Sequence, residues 1–294
     1  MDNPPVEKRF IFKGDAVALA AHIRRPNDLF IRAVAPTNIP VTGGLAEVQA
    51  SGQNFHEIIS FESASSRTLG DFADTHSAAS FTNGNHGENG LSTHTFVEAS
   101  VNGLKVDVPL DTGKGRRVFA VKQLHVRLES ASDRRNPIAF RSLETTFAEV
   151  SVDEVPLKVI TVADLYSQHE TKAKLVQRYE KDADFRKRYG NLFFSTGRRE
   201  GKNEIPNSKG LIYGTVVAGL EWQGKKPDRC EIIGTNRLKI EGLGSIYFGE
   251  IFIDENFRRI TLLRFQLGST YGGDMAACEA AGNGNTWPPS FSGL

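Results

Sequence analysis

At 294 residues the chain is long enough for one large β domain or two ordinary ones, and 39% hydrophobic with 24% charged residues is the composition of a folded globular protein. The 36 Lys and Arg nearly balance the 35 Asp and Glu, so a net charge of +1 excludes the whole-protein positive field of a typical nucleic-acid or membrane-surface binder. No apolar run approaches the roughly 18 residues of a spanning helix, and the two cysteines, Cys230 and Cys278, are too few for a disulfide scaffold and lack zinc-site spacing.

The opening segment, MDNPPVEKRF, has no basic stretch leading into an apolar core. A cytoplasmic location is therefore expected, or a secreted or surface one if the sequence is a mature form. Lys8–Lys13, Val17–Ile23 and Leu29–Val34 read as strands. Glu62–Leu91, rich in Ser, Thr, Asn, Gly and Asp, reads as a long loop. Phe96–Val106 then echoes Phe147–Val159, each read as strand, tight turn, strand, with Asn102-Gly103 the best hairpin turn in the chain because both residues tolerate positive φ. In Arg117–Ser130, Leu124, Val126 and Leu128 alternate with His125, Arg127 and Glu129, a strand with one wet face. Leu143–Val152 is another strand, and Pro156 belongs at a turn or an edge.

Ala163–Tyr189 has no Gly or Pro and carries a thin apolar stripe at helical spacing. Asp164 near its start and Arg186, Lys187 and Arg188 near its end suit the helix dipole, so it reads as one long peripheral helix, with a break possible near Asp182-Ala183-Asp184. Thr196–Lys209 reads as a second long loop and Leu211–Leu220 as a strand. Ser245–Asp254 has apolar residues on both parities, the pattern of a doubly covered strand, and Ile260–Leu267 follows as its hairpin partner. The end of the chain, Gly272–Leu294, reads as a Gly/Asn-rich tail in which Trp287 and Phe291 are candidate interface anchors. Strand patterns of one style flank both loops, so the whole chain, 1–294, reads as a single β-rich domain.

Few residues suggest chemistry. Asp111-Thr112-Gly113, with Ile232-Ile233-Gly234-Thr235-Asn236 further on, resembles the Asp-Thr-Gly loop and the apolar-apolar-Gly segment of aspartic proteases, which makes Asp111 a candidate catalytic carboxylate. Lys114 stands where those enzymes place Ala or Ser, and no second Asp-Ser/Thr-Gly is present; a β-turn between strands explains the segment as well. His76 and His86 share the first loop with Asp71, Asp74 and Glu88 and are candidate metal ligands, but their spacing matches no ligand motif and solvated histidines are the default. Gly242-Leu243-Gly244 precedes a strand, whereas a phosphate-binding glycine loop must open a helix. No cofactor is implied. Basic clusters at Lys114–Arg117, Lys172–Arg188 and Arg198–Lys202 are interleaved with acids and read as solvated faces, with no nucleic-acid partner expected.

Ala99–Val106, Thr145–Val159, Ser245–Ser269 and Gly282–Pro289 resemble a group of bacterial all-β proteins known under the heading "choice-of-anchor P". The resemblance covers much of residues 93–290, rests on strands, turns and the Asn-Gly…Trp-Pro-Pro ending, and implies no activity, cofactor or catalytic residue. Neither a signal peptide nor a C-terminal anchor is visible here. The reading is an all-β sandwich or barrel-like domain with a peripheral helix, acting as a non-enzymatic structural or binding protein that self-associates. The alternative is a hydrolase or barrel enzyme whose site has no recognisable motif.

Overall fold

The computed structural model describes residues 9–26, 28–73, 92–110, 115–132, 139–194, 210–268 and 271–287. Nine strands come first: β1 Arg9–Ile23, β2 Leu29–Val34, β3 Thr37–Asn38, β4 Gly44–Phe55, β5 Ile59–Ala73, β6 Ser92–Pro109, β7 Arg116–Ser132, β8 Ala139–Val152 and β9 Val155–Thr161. Three short helices follow, α1 Ala163–Gln168, α2 Lys172–Lys181 and α3 Ala183–Tyr189. The remaining strands are β10 Phe193–Phe194, β11 Ile212–Thr215, β12 Val217–Trp222, β13 Cys230–Ile233, β14 Arg237–Ile240, β15 Gly244–Ile253, β16 Phe257–Leu267 and β17 Gly273–Trp287. They form two antiparallel sheets. The first runs β10-β11-β15-β16-β17-β1-β2, with β3 on β1 and β13-β14 on β15; the second runs β12-β9-β8-β7-β6-β5-β4.

The sheets pack face to face around one core, in which the Phe119 ring lies 6.2 Å from Phe248 and 5.3 Å from Phe265. The expected all-β, mainly antiparallel fold forms, and of the sandwich and barrel-like alternatives it takes the two-sheet arrangement. The chain changes sheets between β11 and β12 at Val216, whose N–H donates to Gly249 O (2.8 Å) and whose carbonyl accepts from Val162 N–H (2.7 Å). That crossing ties the sheets together along one side.

Each sheet carries a crease. In β1, the buried parity is Phe12, Ala16 and Ala18, then Leu19, Ala21 and Ile23. The switch repeats in β17 at Ala277 and Cys278, in β16 at Leu262 and Leu263, and in β15 between Phe248 and Ile251. Pairing passes over these positions without changing register: Val17 meets Glu279 and Leu19 meets Ala277, Thr261 meets Glu279 and Leu263 meets Ala277, Phe248 meets Leu263 and Glu250 meets Thr261. Gly249 (φ 61°) and Cys278 (φ 53°) supply the left-handed backbone, in every second strand. One such residue interrupts the pleat, so that consecutive side chains turn to the same face. The second sheet repeats the device along Gly52, Glu62, Gly103, Lys122 and Glu149, with Gly103 at φ 63° and Glu149 at φ 49°. The creases meet inside the sandwich, where Cys278 Sγ donates to Leu124 O at 3.6 Å.

These creases correct several expectations. Asn102-Gly103 is not a hairpin turn; it lies mid-strand in β6, an 18-residue strand, because only Gly103 has positive φ and a type I′ turn needs two such residues. In the echoing segment Asp153 (φ 47°) and Glu154 (φ 67°) both do, and there the β8–β9 hairpin forms. Ser245–Asp254 shows apolar residues on both parities because the crease turns Ile246, Phe248, Ile251 and Ile253 all inward, while Phe252 is half-buried and packs outside against Tyr213 (4.6 Å). The expected loop from Glu62 is strand as far as Ala73. The expected tail is strand β17 as far as Trp287, running between β1 and β16. Its Ala277, Cys278, Ala280 and Gly282 are small enough to sit under the opposite sheet, where a Cβ at Gly282 would touch Val97 and Leu128 at 3.4–3.5 Å.

The helical segment is broken twice. Thr171 caps α2 by accepting from Lys174 N–H (3.2 Å), and Asp182 caps α3 by accepting from Phe185 N–H (2.9 Å). Arg258 fastens the unit to the first sheet. Its buried guanidinium donates to the carbonyls of Tyr166 (2.7 Å) and His169 and lies 4.4 Å from the Phe140 ring. Burial pushes its pKa down to about 10. Among the described residues no helix is long and apolar enough to cross a membrane.

Candidate functional site

His76, His86, Asp111 and Phe291 lie outside the described residues, as does the Thr196–Lys209 loop. The flanks of Asp111 are those of a hairpin: Pro109 pairs with Arg116, and Leu110 N–H donates to Gly115 O (3.1 Å). The Ile232–Asn236 segment turns between β13 and β14. Trp287 is placed by its backbone alone, as the β17 residue opposite Arg9. Cys230 and Cys278 are free, buried thiols on different strands, and burial raises the pKa of both. Among the described residues no group of His, Cys, Asp and Glu is arranged to hold a metal.

Two other features stand out, and the sequence flagged neither. The first is the edge strand β4. The sheets end in β10 with 2 residues, β2 with 6, β12 with 6 and β4 with 12. Short strands are poor templates for a further strand; a long exposed one is a good template. Among the described residues β4 pairs only with β5. It is exposed on both faces for most of its length, with Leu45 at 56% and Val48 at 38%. It contains no Pro or Lys and a single charge, Glu47, whose Oε1 accepts from Gln49 Nε2 at 3.0 Å. Apart from the crease at Gly52, the strand carries none of the usual devices that blunt an edge, neither proline nor lysine nor a run of charges.

The second feature is a cleft on the helical unit, wide open to solvent, with two adjoining parts of about 550 and 490 Å³. Gln168, His169, Arg178, Asp182 and Asp184 line both. Lys174 and Lys181 extend one wall, Phe185, Arg188 and Tyr189 the other. The breaks between helices create it, since α3 turns back at Asp182 and faces the end of α1. His169 Nδ1 lies 2.8 Å from Leu165 O. A carbonyl can only accept, so Nδ1 carries the proton and Nε2 of the neutral ring is left as an acceptor. Asp182 is already committed: the Phe185 amide and then Arg178, at 2.7 Å, hold its carboxyl below the usual range. Lys174 and then Arg141 do the same for nearby Glu170. The caps at Thr171 and Asp182 were the sequence signal for these breaks.

No curated protein and no solved structure matches the chain. A family described as a domain of unknown function, DUF8256, matches residues 10–254, from β1 to the end of β15, and the chain belongs to that family.

Proposed function

We propose that the protein is a non-enzymatic β-sandwich module that associates with a second copy of itself, edge to edge through β4. The observation that carries this reading is the 12-residue length of an edge strand with one charge and two exposed faces. The sequence of β4 is compatible with its own antiparallel copy. Centring the two-fold on Val48 sets Val48 opposite Val48 and Glu47 of each copy opposite Gln49 of the other, the same acceptor and donor that already bond within one strand. No like charges then face each other, and the free main-chain groups from Gly44 to Gly52 gain partners.

Sedimentation over about a hundredfold range of concentration tests the reading. The wild-type mass should rise above 32.3 kDa with concentration. Val48→Lys places two ammonium groups together at the axis and should remain a monomer with an unchanged circular dichroism spectrum, because Val48 contributes little to the core. A wild-type protein that stays monomeric throughout, or a Val48→Lys variant that assembles as wild type does, overturns the proposal.

A further inference from the structure

We propose that the cleft between α1, α2 and α3 binds a phosphorylated small molecule bearing hydroxyl groups. Its volume, about 550 and 490 Å³ in two joined parts, is in the range of small-molecule sites. Lys174 and Arg178 in its lining are paired with Glu170 and Asp182, which leaves the cations Lys181 and Arg188 against the single carboxylate of Asp184. Among the described residues no carboxylate pairs with Lys181 or Arg188. Arg178 reaches Asp182 through Nη2, and its guanidinium is anchored 6.0 Å from the Phe185 ring. Arg188 lies over the Tyr189 ring at 5.2 Å. Held in this way, the two planar forks lose little freedom on meeting a phosphate, whose oxygens they can engage in pairs.

His169 adds a different requirement. With Nδ1 donating to Leu165 O, Nε2 of the unprotonated ring is an acceptor that a ligand hydroxyl can satisfy. The ring is fixed beside Phe185, at 5.4 Å between centroids, so its orientation is set before a ligand arrives. A cleft of this extent, with Lys181 lining one part, Arg188 the other and the His169 acceptor shared by both, suits a phosphate ester that carries hydroxyls, a sugar phosphate, rather than inorganic phosphate alone. The site is remote from β4 in sequence and on different elements, so it stands or falls independently of self-association.

Calorimetric titration of the full chain with ribose 5-phosphate, inorganic phosphate and ribose provides the test. The sugar phosphate should bind, inorganic phosphate about tenfold more weakly, and ribose not detectably. The double variant Lys181→Gln/Arg188→Gln should lose the sugar phosphate by at least about tenfold, whereas Lys187→Gln, on α3 but outside the cleft lining, should match wild type. His169→Phe, which keeps a ring beside Phe185 but removes the acceptor, should narrow the gap between the sugar phosphate and inorganic phosphate. Absence of sugar-phosphate binding overturns the proposal, as does an equal loss in Lys187→Gln. Retention on phosphatidylglycerol vesicles without any binding of the free sugar phosphate would also overturn it, by making the basic face a membrane contact.

Discussion

In the first sheet the crease passes through Gly249 and Cys278; in the second it passes through Gly103 and Glu149. Each pairs a glycine with a residue that must hold its side chain in left-handed backbone. The surroundings differ. Gly249 is pressed against the chain crossing, where an added Cβ would lie 2.6 Å from Val216 Cγ2 and 3.0 Å from Val217 Cγ2, both fully buried. A Cβ at Gly103 would meet only the flexible, exposed side chain of Glu62. Cys278 is sealed between the sheets, whereas Glu149 points to solvent beside Lys122. The comparison separates two reasons for the same backbone: one crease is held by what packs on it, the other mainly by its own turn geometry.

The largest test of this difference concerns the side of the first crease that would face water if the pleat ran on unbroken. Phe265 follows the parity switch in β16 and is fully buried against Phe119. Phe265→Ala should cost about 3–5 kcal/mol in urea unfolding. A loss below about 1 kcal/mol, the size of a surface change, would mean that the parity does not switch. Next come the glycines. Gly249→Ala should cost about 2–4 kcal/mol, from left-handed strain plus overlap with the valines, and Gly103→Ala only about 1 kcal/mol, from strain alone. Equal costs would erase the distinction between packed and solvent-facing creases. The smallest effect has the opposite sign. Glu149→Gly relieves a strained φ and loses only an exposed ion pair, so stability should hold or rise by about 0.5 kcal/mol. A clear loss would show that the Glu149 side chain has a structural task.

What could be read from the sequence follows from these same features. Leu29–Val34 is legible to the residue, and the strand pair around Ile260–Leu267 is legible as a hairpin, because alternation there is bounded by turn residues. The segment that became β4, GLAEVQASGQNF, gave no signal, since a strand wet on both faces has no reason to alternate. Asn102-Gly103 misled because a dipeptide suited to two positive φ values is equally able to supply one. The Ala- and Gly-rich end looked unable to build a core, yet small side chains are what permit a strand to lie centrally beneath a second sheet. The cleft was illegible for another reason. Its parts, His169, Arg178 and Arg188, read as an ordinary helix face until the caps at Thr171 and Asp182 folded that face onto itself.

The pairing of β1 with β17, from Arg9 opposite Trp287 to Ile23 opposite Gly273, has a consequence for the order of events during synthesis. The second sheet is built from consecutive strands β4 to β9, each pairing with the one before it, so nearly all of it can assemble while the chain is still being made. β1 has no such long neighbour close to it in sequence. On one side it has only the short β2 and β3, and on the other it must wait for β17, which follows every other strand of the two sheets. Until then the inward residues of β1, from Phe12 to Ile23, are an apolar surface without its sheet, and chaperones that shelter nascent chains would have their longest task on this strand.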